Sequence, residues 1–165
     1  MGADIHVFTE IKLPDDPNLV NIDYFRFTKE GDTEGYNRLE AYEGRYSVLF
    51  DVLRHKIPQN GYPKNPSKIF KKEWESWYGH GVYGLNHISL QDLYKFWRKS
   101  MNDVYINSFC YEDMEFTEAL ALYPFLNDLV NHYVSFYYHQ FGSHFNINLN
   151  KKDGNNVYVI YFFDR

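Results

Sequence analysis

Cysteine is almost missing from this chain: Cys110 is the only one in 165 residues. No disulfide can close within it, so the fold has to be held by packing, which suits a reducing compartment. Long apolar runs are missing too, and no stretch approaches the roughly 18 residues that a membrane-spanning helix needs. The opening residues show no basic segment leading into an apolar one, as a secretory leader would. Position 6 is His, where a myristoylation signal after Met-Gly carries Ser or Thr. The expectation is a cytoplasmic protein without membrane attachment. Positive charge is also in deficit, with 17 Lys and Arg against 22 Asp and Glu and a formal net charge of −5. Extended binding to DNA or RNA works by neutralising phosphates over a basic surface. The compact basic groups here, Lys64, Lys68, Lys71, Lys72 and the pair Lys151–Lys152, read as solvated faces. A small anion needs only one or two positive groups and stays compatible with this composition. The sequence carries no Gly-rich phosphate loop, no nucleophile elbow and no zinc-type Cys or His spacing.

Rings, by contrast, are abundant. Aromatic residues make up 20% of the chain, including 16 Tyr and 14 Phe. They bury large areas, and they also stack on flat ligands such as bases. Many fall at core-like spacing, which points to packing first. The length fits one domain over residues 1–165, and a chain of this size can bury about 68–70% of its unfolded surface.

Local patterns divide the chain into strands at both ends and helices between them. Ala3, Ile5, Val7, Thr9 and Ile11 alternate with Asp4, His6, Phe8, Glu10 and Lys12, the period of two of a strand. Pro14–Asn18 ends it, and Ile22–Thr28 reads as a second strand in a hairpin with the first. Residues 29–44 have loop composition. Tyr46, Leu49, Phe50, Leu53 and Ile57 form the apolar stripe of a helix, after which Pro58, Gly61, Pro63 and Pro66 break the chain. Ser67 is placed to cap a short helix to about Tyr78, with Ile69, Phe70, Trp74 and Trp77 on its apolar side. Gly79, Gly81 and Gly84 suggest a flexible loop. Ser89 begins a capped helix through Leu90, Leu93, Tyr94 and Trp97. Thr117 is a candidate cap for the longest helix, to about Gln140, with Pro124 marking either its start or a kink. Phe145, Ile147 and Leu149 alternate with Asn, a turn follows at Lys152–Asn155, and Val157–Phe163 is apolar on both faces. Such a strand belongs in the middle of a sheet, with Ser143–Leu149 expected on one side and the first strand on the other. The expected fold is α+β: a single antiparallel sheet of about four strands, made of N-terminal and C-terminal hairpins and backed by three to four helices.

If the first and last strands run antiparallel, Asp164 approaches Asp4 and His6, which share a strand face. Two carboxylates and an imidazole can hold a divalent metal or manage a proton, so Asp4, His6 and Asp164 are candidate metal ligands, alongside the plainer reading of a polar outer face. Arg45 and Tyr46 stand at a helix mouth after Gly44, where anions are attracted. His80 and His87 flank the Gly-rich loop, and with Ser89 they suit a lid over a ligand. His6 and His87 are the candidates for acid–base catalysis. Arg54 and His55 read as surface residues, and His132 and His139 as packed or partly exposed.

Met1-Gly2-Ala3-Asp4-Ile5-His6 resembles the opening of a family of uncharacterised bacteriophage and prophage proteins that begin Met-Gly-x-Asp-Ile-His. Gly44-Arg45-Tyr46, through Leu53 and Arg54, resembles that family's Gly-Arg-Asn-Tyr segment and the helix after it, without the intervening Asn. His87-Ile88-Ser89-Leu90 resembles a His-x-Ser stretch before a helix, and Tyr158–Asp164 an aromatic closing strand ending in Phe-Asp. The resemblance implies a phage or mobile-element origin and the host cytoplasm as its setting.

Two functions follow as expectations. One is an accessory, counter-defence protein that binds a small nucleotide-like anionic ligand, or a host protein, through Arg45, Tyr46, His80 and Ser89. The alternative is a metal-dependent hydrolase or phosphodiesterase that uses Asp4, His6, His87 and Asp164.

Overall fold

The computed structural model describes residues 3–24, 40–42, 44–106, 114–141 and 156–164. Four strands form one antiparallel sheet: β1 (Asp4–Ile11), β2 (Val20–Asn21), β3 (Tyr83–Ser89) and β4 (Val157–Asp164), in the order β2-β1-β4-β3. The described helices are α1 (Ser47–Asp51), α2 (Lys68–Trp77), α3 (Leu90–Ile106) and α4 (Met114–Phe141). This is the α+β class that the patterning implies. Among the described residues, no helix is long and apolar enough to cross a membrane.

The doubly apolar last strand lies where its composition demands, inside the sheet. β4 pairs with β1 along its whole length, from Asp4↔Asp164 to Ile11↔Val157. Its other edge is taken by β3, with Asn86↔Tyr161, His87↔Ile160 and Ser89↔Tyr158 in register. Helices cover both faces, so β4 is buried from Val159 to Phe163. On one face Val7, Val159, Tyr161 and Phe163 join Leu53 of the turn after α1, Leu93 of α3, and Leu122, Phe125 and Leu129 of α4 in the main core. On the other, Phe8, Ile160 and Phe162 pack with Phe70, Trp74 and Trp77 of α2.

Four expectations change. The segment after α2, expected as a flexible loop and lid, contains strand β3. Its alternation is hidden because Gly84, at φ +67°, sits in a register irregularity between Tyr83 and Asn86, and because a polar Asn86 is fully buried. The second strand is only Val20–Asn21, with Asp23 and Tyr24 in a turn after it; positions Phe25–Thr28 lie outside the described residues. The place beside β4 expected for Ser143–Leu149 is taken by β3, and Ser143–Leu149 and the Lys152–Asn155 turn themselves lie outside the described residues. The longest helix begins at Met114, ahead of Thr117, and runs through Pro124 without a break. Pro124 is exposed, so its missing N–H and its ring fall on the solvated side.

The caps hold as the local sequence implies. The Ser67 hydroxyl accepts from Phe70 N at 3.0 Å, and that of Ser89 from Asp92 N at 3.1 Å. After α1 the helix widens over Val52–Lys56, where Ile57 N donates to Val52 O at 3.1 Å, a span of five residues. That widening leaves Leu53 O free to accept from the Tyr161 hydroxyl at 2.9 Å and from Gln59 Nε2 at 3.1 Å. Asn86 completes the junction. Its amide donates to Pro58 O at 2.9 Å and to the Tyr161 hydroxyl at 2.7 Å, and its carbonyl accepts from Gly61 N at 3.1 Å. The Pro- and Gly-rich stretch that follows the first helix is thus tied to the sheet by one buried amide.

Gly84 is the most constrained backbone position in this arrangement. A Cβ there would come within 2.7 Å of the Phe163 ring, on a positive φ as well. Gly84→Ala is expected to cost about 1–3 kcal/mol through strain and overpacking together. Urea unfolding measures this directly, and a variant within about 0.5 kcal/mol of the parent would show that β3 tolerates a side chain at its bend.

Candidate functional site

Polar groups gather in two places, at opposite ends of β4. The first is where the chain ends meet. Asp4 lies opposite Asp164 across the β1–β4 ladder, and His6 follows on the same face. His6 Nε2 is 3.2 Å from an Asp164 carboxylate oxygen. The distance is that of an ion pair, but the angle is poor for a hydrogen bond, and both His6 Nε2 and Asp164 Oδ1 are buried with no hydrogen-bond partner. The imidazole rests between Phe162, 5.0 Å away and nearly parallel, and Trp77, 4.7 Å away and tilted.

Arg45 changes the chemistry expected of this end. Ile5 N donates to Gly44 O at 3.4 Å, and a Cβ on Gly44 would meet the Tyr42 hydroxyl at 2.9 Å. This close approach brings the next residue alongside β1. Arg45 grips both oxygens of Asp4, Nη2 to Oδ2 at 2.7 Å and Nε to Oδ1, in the bidentate fork that guanidinium and carboxylate favour. The hydrogen bond, helped by the Arg45 charge and by His6, holds the Asp4 carboxyl below its usual range and lifts Arg45 in turn. Asp4 is thereby occupied, and among the described residues no three His, Cys, Asp or Glu side chains are grouped to hold a metal ion. Arg45 is likewise engaged with a carboxylate, whereas the sequence suggests a helix mouth open to anions. Tyr46, at the start of α1, makes no capping hydrogen bond through its side chain.

The remaining candidates are spread along the sheet and the turn after α2. His80 is exposed in the turn after α2, its N–H donating to Trp77 O at 3.0 Å. Ser89 is buried as the cap of α3 and pairs with Tyr158, about 20 Å along β4 from Asp164 by strand rise. His87 shares the face of His6, but two strands across and two registers along, about 12 Å away by sheet spacing. Ser89 is therefore separated from Arg45, which lies at the Asp4–Asp164 end of the sheet. Asp4, His6 and Asp164 do come together, without His87.

The second place is a cavity of about 260 Å3 at the other end of the sheet. Lys12, just beyond β1, Lys64 and Asn65 from the Pro-rich segment, Asn18, His87 and Tyr158 line it. Its walls are joined by backbone: Leu19 N donates to Asn65 O at 2.8 Å, and Lys12 N to Asn156 O at 2.7 Å. Asn65 takes a left-handed φ of 53°, which Asn tolerates. His87 Nδ1 is 2.8 Å from Gly61 O, so Nδ1 is the protonated donor nitrogen when the ring is neutral. The Tyr158 ring lies 6.5 Å from that imidazole. The described lining holds two Lys and a His but no carboxylate. Lys64 reads as a solvated charge in the sequence, and the Leu19–Asn65 and Glu10–Ser67 contacts bring its segment to that of Lys12.

Two buried carboxylates had no sequence signal beyond their place in the pattern. Glu10 is fully buried on β1, directly opposite Tyr158 and on the strand face of Lys12. It accepts from Ser67 N at 2.8 Å and from the Ser67 hydroxyl, tying the start of α2 to the sheet. Burial outweighs these bonds and pushes its carboxyl up to about 7. Asp23 is also fully buried. It accepts from Thr9 N at 3.2 Å and from Asn21 Nδ2 at 3.2 Å, and His132 Nε2 of α4 lies 3.1 Å from it. His132 thus carries a polar link from α4 to the sheet region.

Comparison of the chain with protein-family models, with curated proteins and with solved structures finds no match.

The raised Glu10 pKa sets a pH dependence of stability. Folded Glu10 keeps its proton up to about pH 7, whereas the unfolded chain releases it near 4.5. Its contribution is therefore complete below about pH 4.5 and is lost as the pH rises through about 7. A difference of this size corresponds to about 3 kcal/mol. Denaturant unfolding of the parent should show that decline over this range, and Glu10→Gln should flatten it. An unaltered slope in the variant would mean that another group is responsible.

Proposed function

We propose that the protein binds a small anion, a phosphate- or carboxylate-bearing molecule of nucleotide-like character, in the cavity between the end of β1 and the segment before α2. The observation that carries this reading is the convergence of Lys12, Lys64 and His87 on one concavity whose described lining has no carboxylate. In a chain with a net charge of −5, two Lys side chains in one concavity without a lining carboxylate are a departure from the average surface. Ammonium and imidazole groups in a concave site attract anions more strongly than on open surface, because low-dielectric walls focus the field. Tyr158 and the His87 ring offer flat surfaces against which a planar moiety can rest. At about 260 Å3, the space falls just below the roughly 300–1,000 Å3 of pockets that hold drug-sized ligands. It suits a small metabolite or one end of a nucleotide.

The setting rests on the resemblance at the two chain ends: an accessory protein of a phage, in the host cytoplasm, that withholds such a ligand from a host defence. The rival reading, hydrolysis by a metal-dependent site, has only the His6–Asp164 contact in its favour. Asp4, the third member of that site, is held by Arg45.

Equilibrium dialysis with radiolabelled AMP and with inorganic phosphate tests the proposal. The parent should bind at least one of them, leaving it chemically intact, and Lys12→Gln/Lys64→Gln should weaken binding about tenfold or more, given about 1 kcal/mol or more for each charge-assisted contact. Arg45→Ala should leave the affinity unchanged. Equal binding by the double variant would rule out this cavity as the site. Metal-dependent turnover abolished in His6→Ala would favour the hydrolase.

A further inference from the structure

We infer that anion binding in this cavity is coupled to proton uptake by Glu10, the buried carboxylate behind its wall; this rests on the anion-site reading above. Three of the segments that build the cavity touch Glu10 or its immediate neighbours. Tyr158 is its direct partner across the β1–β4 ladder, where facing side chains come within about 5 Å. Lys12 is two residues on, along the same strand face. Ser67, which donates to Glu10 through both its N–H and its hydroxyl, closely follows Lys64 and Asn65 in the chain. The carboxylate has no exposed surface of its own, so water screens it poorly from a charge placed in the cavity.

The consequence follows from like charges. An ionised Glu10 opposes a second negative charge beyond Tyr158 and Lys12, and a protonated Glu10 does not. An anion arriving in the cavity therefore favours the protonated carboxyl, and a proton on Glu10 favours the anion, by the same factor. The carboxyl is poised to respond near neutral pH, since burial holds its midpoint at about 7. The surrounding groups include charges of both signs. Asp23, beyond β2, adds to the negative field and Asn21 donates to the carboxylate. From the segment before α2, Lys64 lines the cavity and the Tyr62 hydroxyl feels the Glu10 charge. The first turn of α2 carries Lys68 and Lys71, and β3 contributes His87. His87 lines the cavity itself, so a substitution there serves as the control for the one at Glu10.

Sulfate is the probe of choice, since its charge does not change across neutral pH. Isothermal titration of the whole chain with sodium sulfate at fixed ionic strength, in buffers of differing ionisation enthalpy, reads both affinity and protons taken up. The parent should bind sulfate about fivefold or more tightly at about pH 6 than at about pH 8, with net proton uptake near pH 7. Glu10→Gln should lose most of that difference and bind at high pH as the parent does at low pH, whereas His87→Gln should retain it. Carboxyl-labelled glutamate followed by 13C NMR gives the same answer without substitution: the Glu10 midpoint should rise on saturation with sulfate, by about one pH unit for each tenfold coupling. A pH dependence kept in Glu10→Gln but lost in His87→Gln, or a Glu10 midpoint that sulfate does not move, overturns the coupling while leaving the anion site standing. No sulfate bound at any pH by the parent, in a chain that also fails to bind phosphate or AMP, overturns the anion site and the coupling with it.

Discussion

The pairing of β1 with β4 is the constraint from which the rest of the architecture follows. Eight residues from each strand lie in register, from Asp4↔Asp164 to Ile11↔Val157. Because β4 is apolar on both faces, its burial requires a helical layer on each side and a second strand along its free edge. α2 supplies one cover, the remaining helices the other, and β3 the edge. Without the β1–β4 ladder, the Phe8–Phe162 contact and the Val7–Tyr161 side of the main core would both lose their platform. Part of the aromatic abundance of the chain is used here, in the stacked and edge-on contacts of Phe8, Phe70, Trp74, Phe162 and Phe163.

Buried polar side chains connect this slab to the segments around it. Asn86 secures the Pro- and Gly-rich stretch, Glu10 the start of α2, and Asp23 the turn after β2 together with His132 of α4. Each would be costly if left without partners. Their bonds therefore specify where irregular segments dock, a task that non-directional apolar packing performs poorly. The cavity is a product of this docking. Two connections that are neither helix nor strand, residues 12–19 and 58–66, are drawn together at one end of the sheet, and their charged side chains ring the space that remains.

The two ends of the sheet consequently differ in electrostatic character. At the chain ends Arg45 compensates Asp4, and the His6 ring lies beside Asp164. At the other end, Lys12 and Lys64 line the cavity, the Asp16 carboxylate accepts from the backbone N–H of the lining residue Asn18 at 2.9 Å, and Glu10 is buried beside Tyr158 with its pKa raised by that burial. Compensation favours a structural role for the first cluster, and an unbalanced concave surface favours ligand capture at the second.

Much of this was present in the one-dimensional pattern. The alternation from Ala3 to Lys12, the doubly apolar Val157–Phe163 and the caps at Ser67 and Ser89 depend on neighbours within a few residues. They identify β1, a central β4 and the starts of two helices, and the antiparallel meeting of first and last strands follows from them, bringing Asp164 to Asp4 and His6. What the pattern could not convey depends on contacts between distant segments. β3 was concealed because Gly84 bends it and Asn86 places an amide where an apolar residue was expected. Arg45 looked available for an anion because nothing local shows that Asp4 would reach it, 41 positions away. Lys12 and Lys64 come to line one cavity through the Leu19–Asn65 and Glu10–Ser67 bonds, and Glu10 has its pKa raised by burial. Periodicity reports which face of an element is buried; which groups meet there, and with what charge, is decided by tertiary packing.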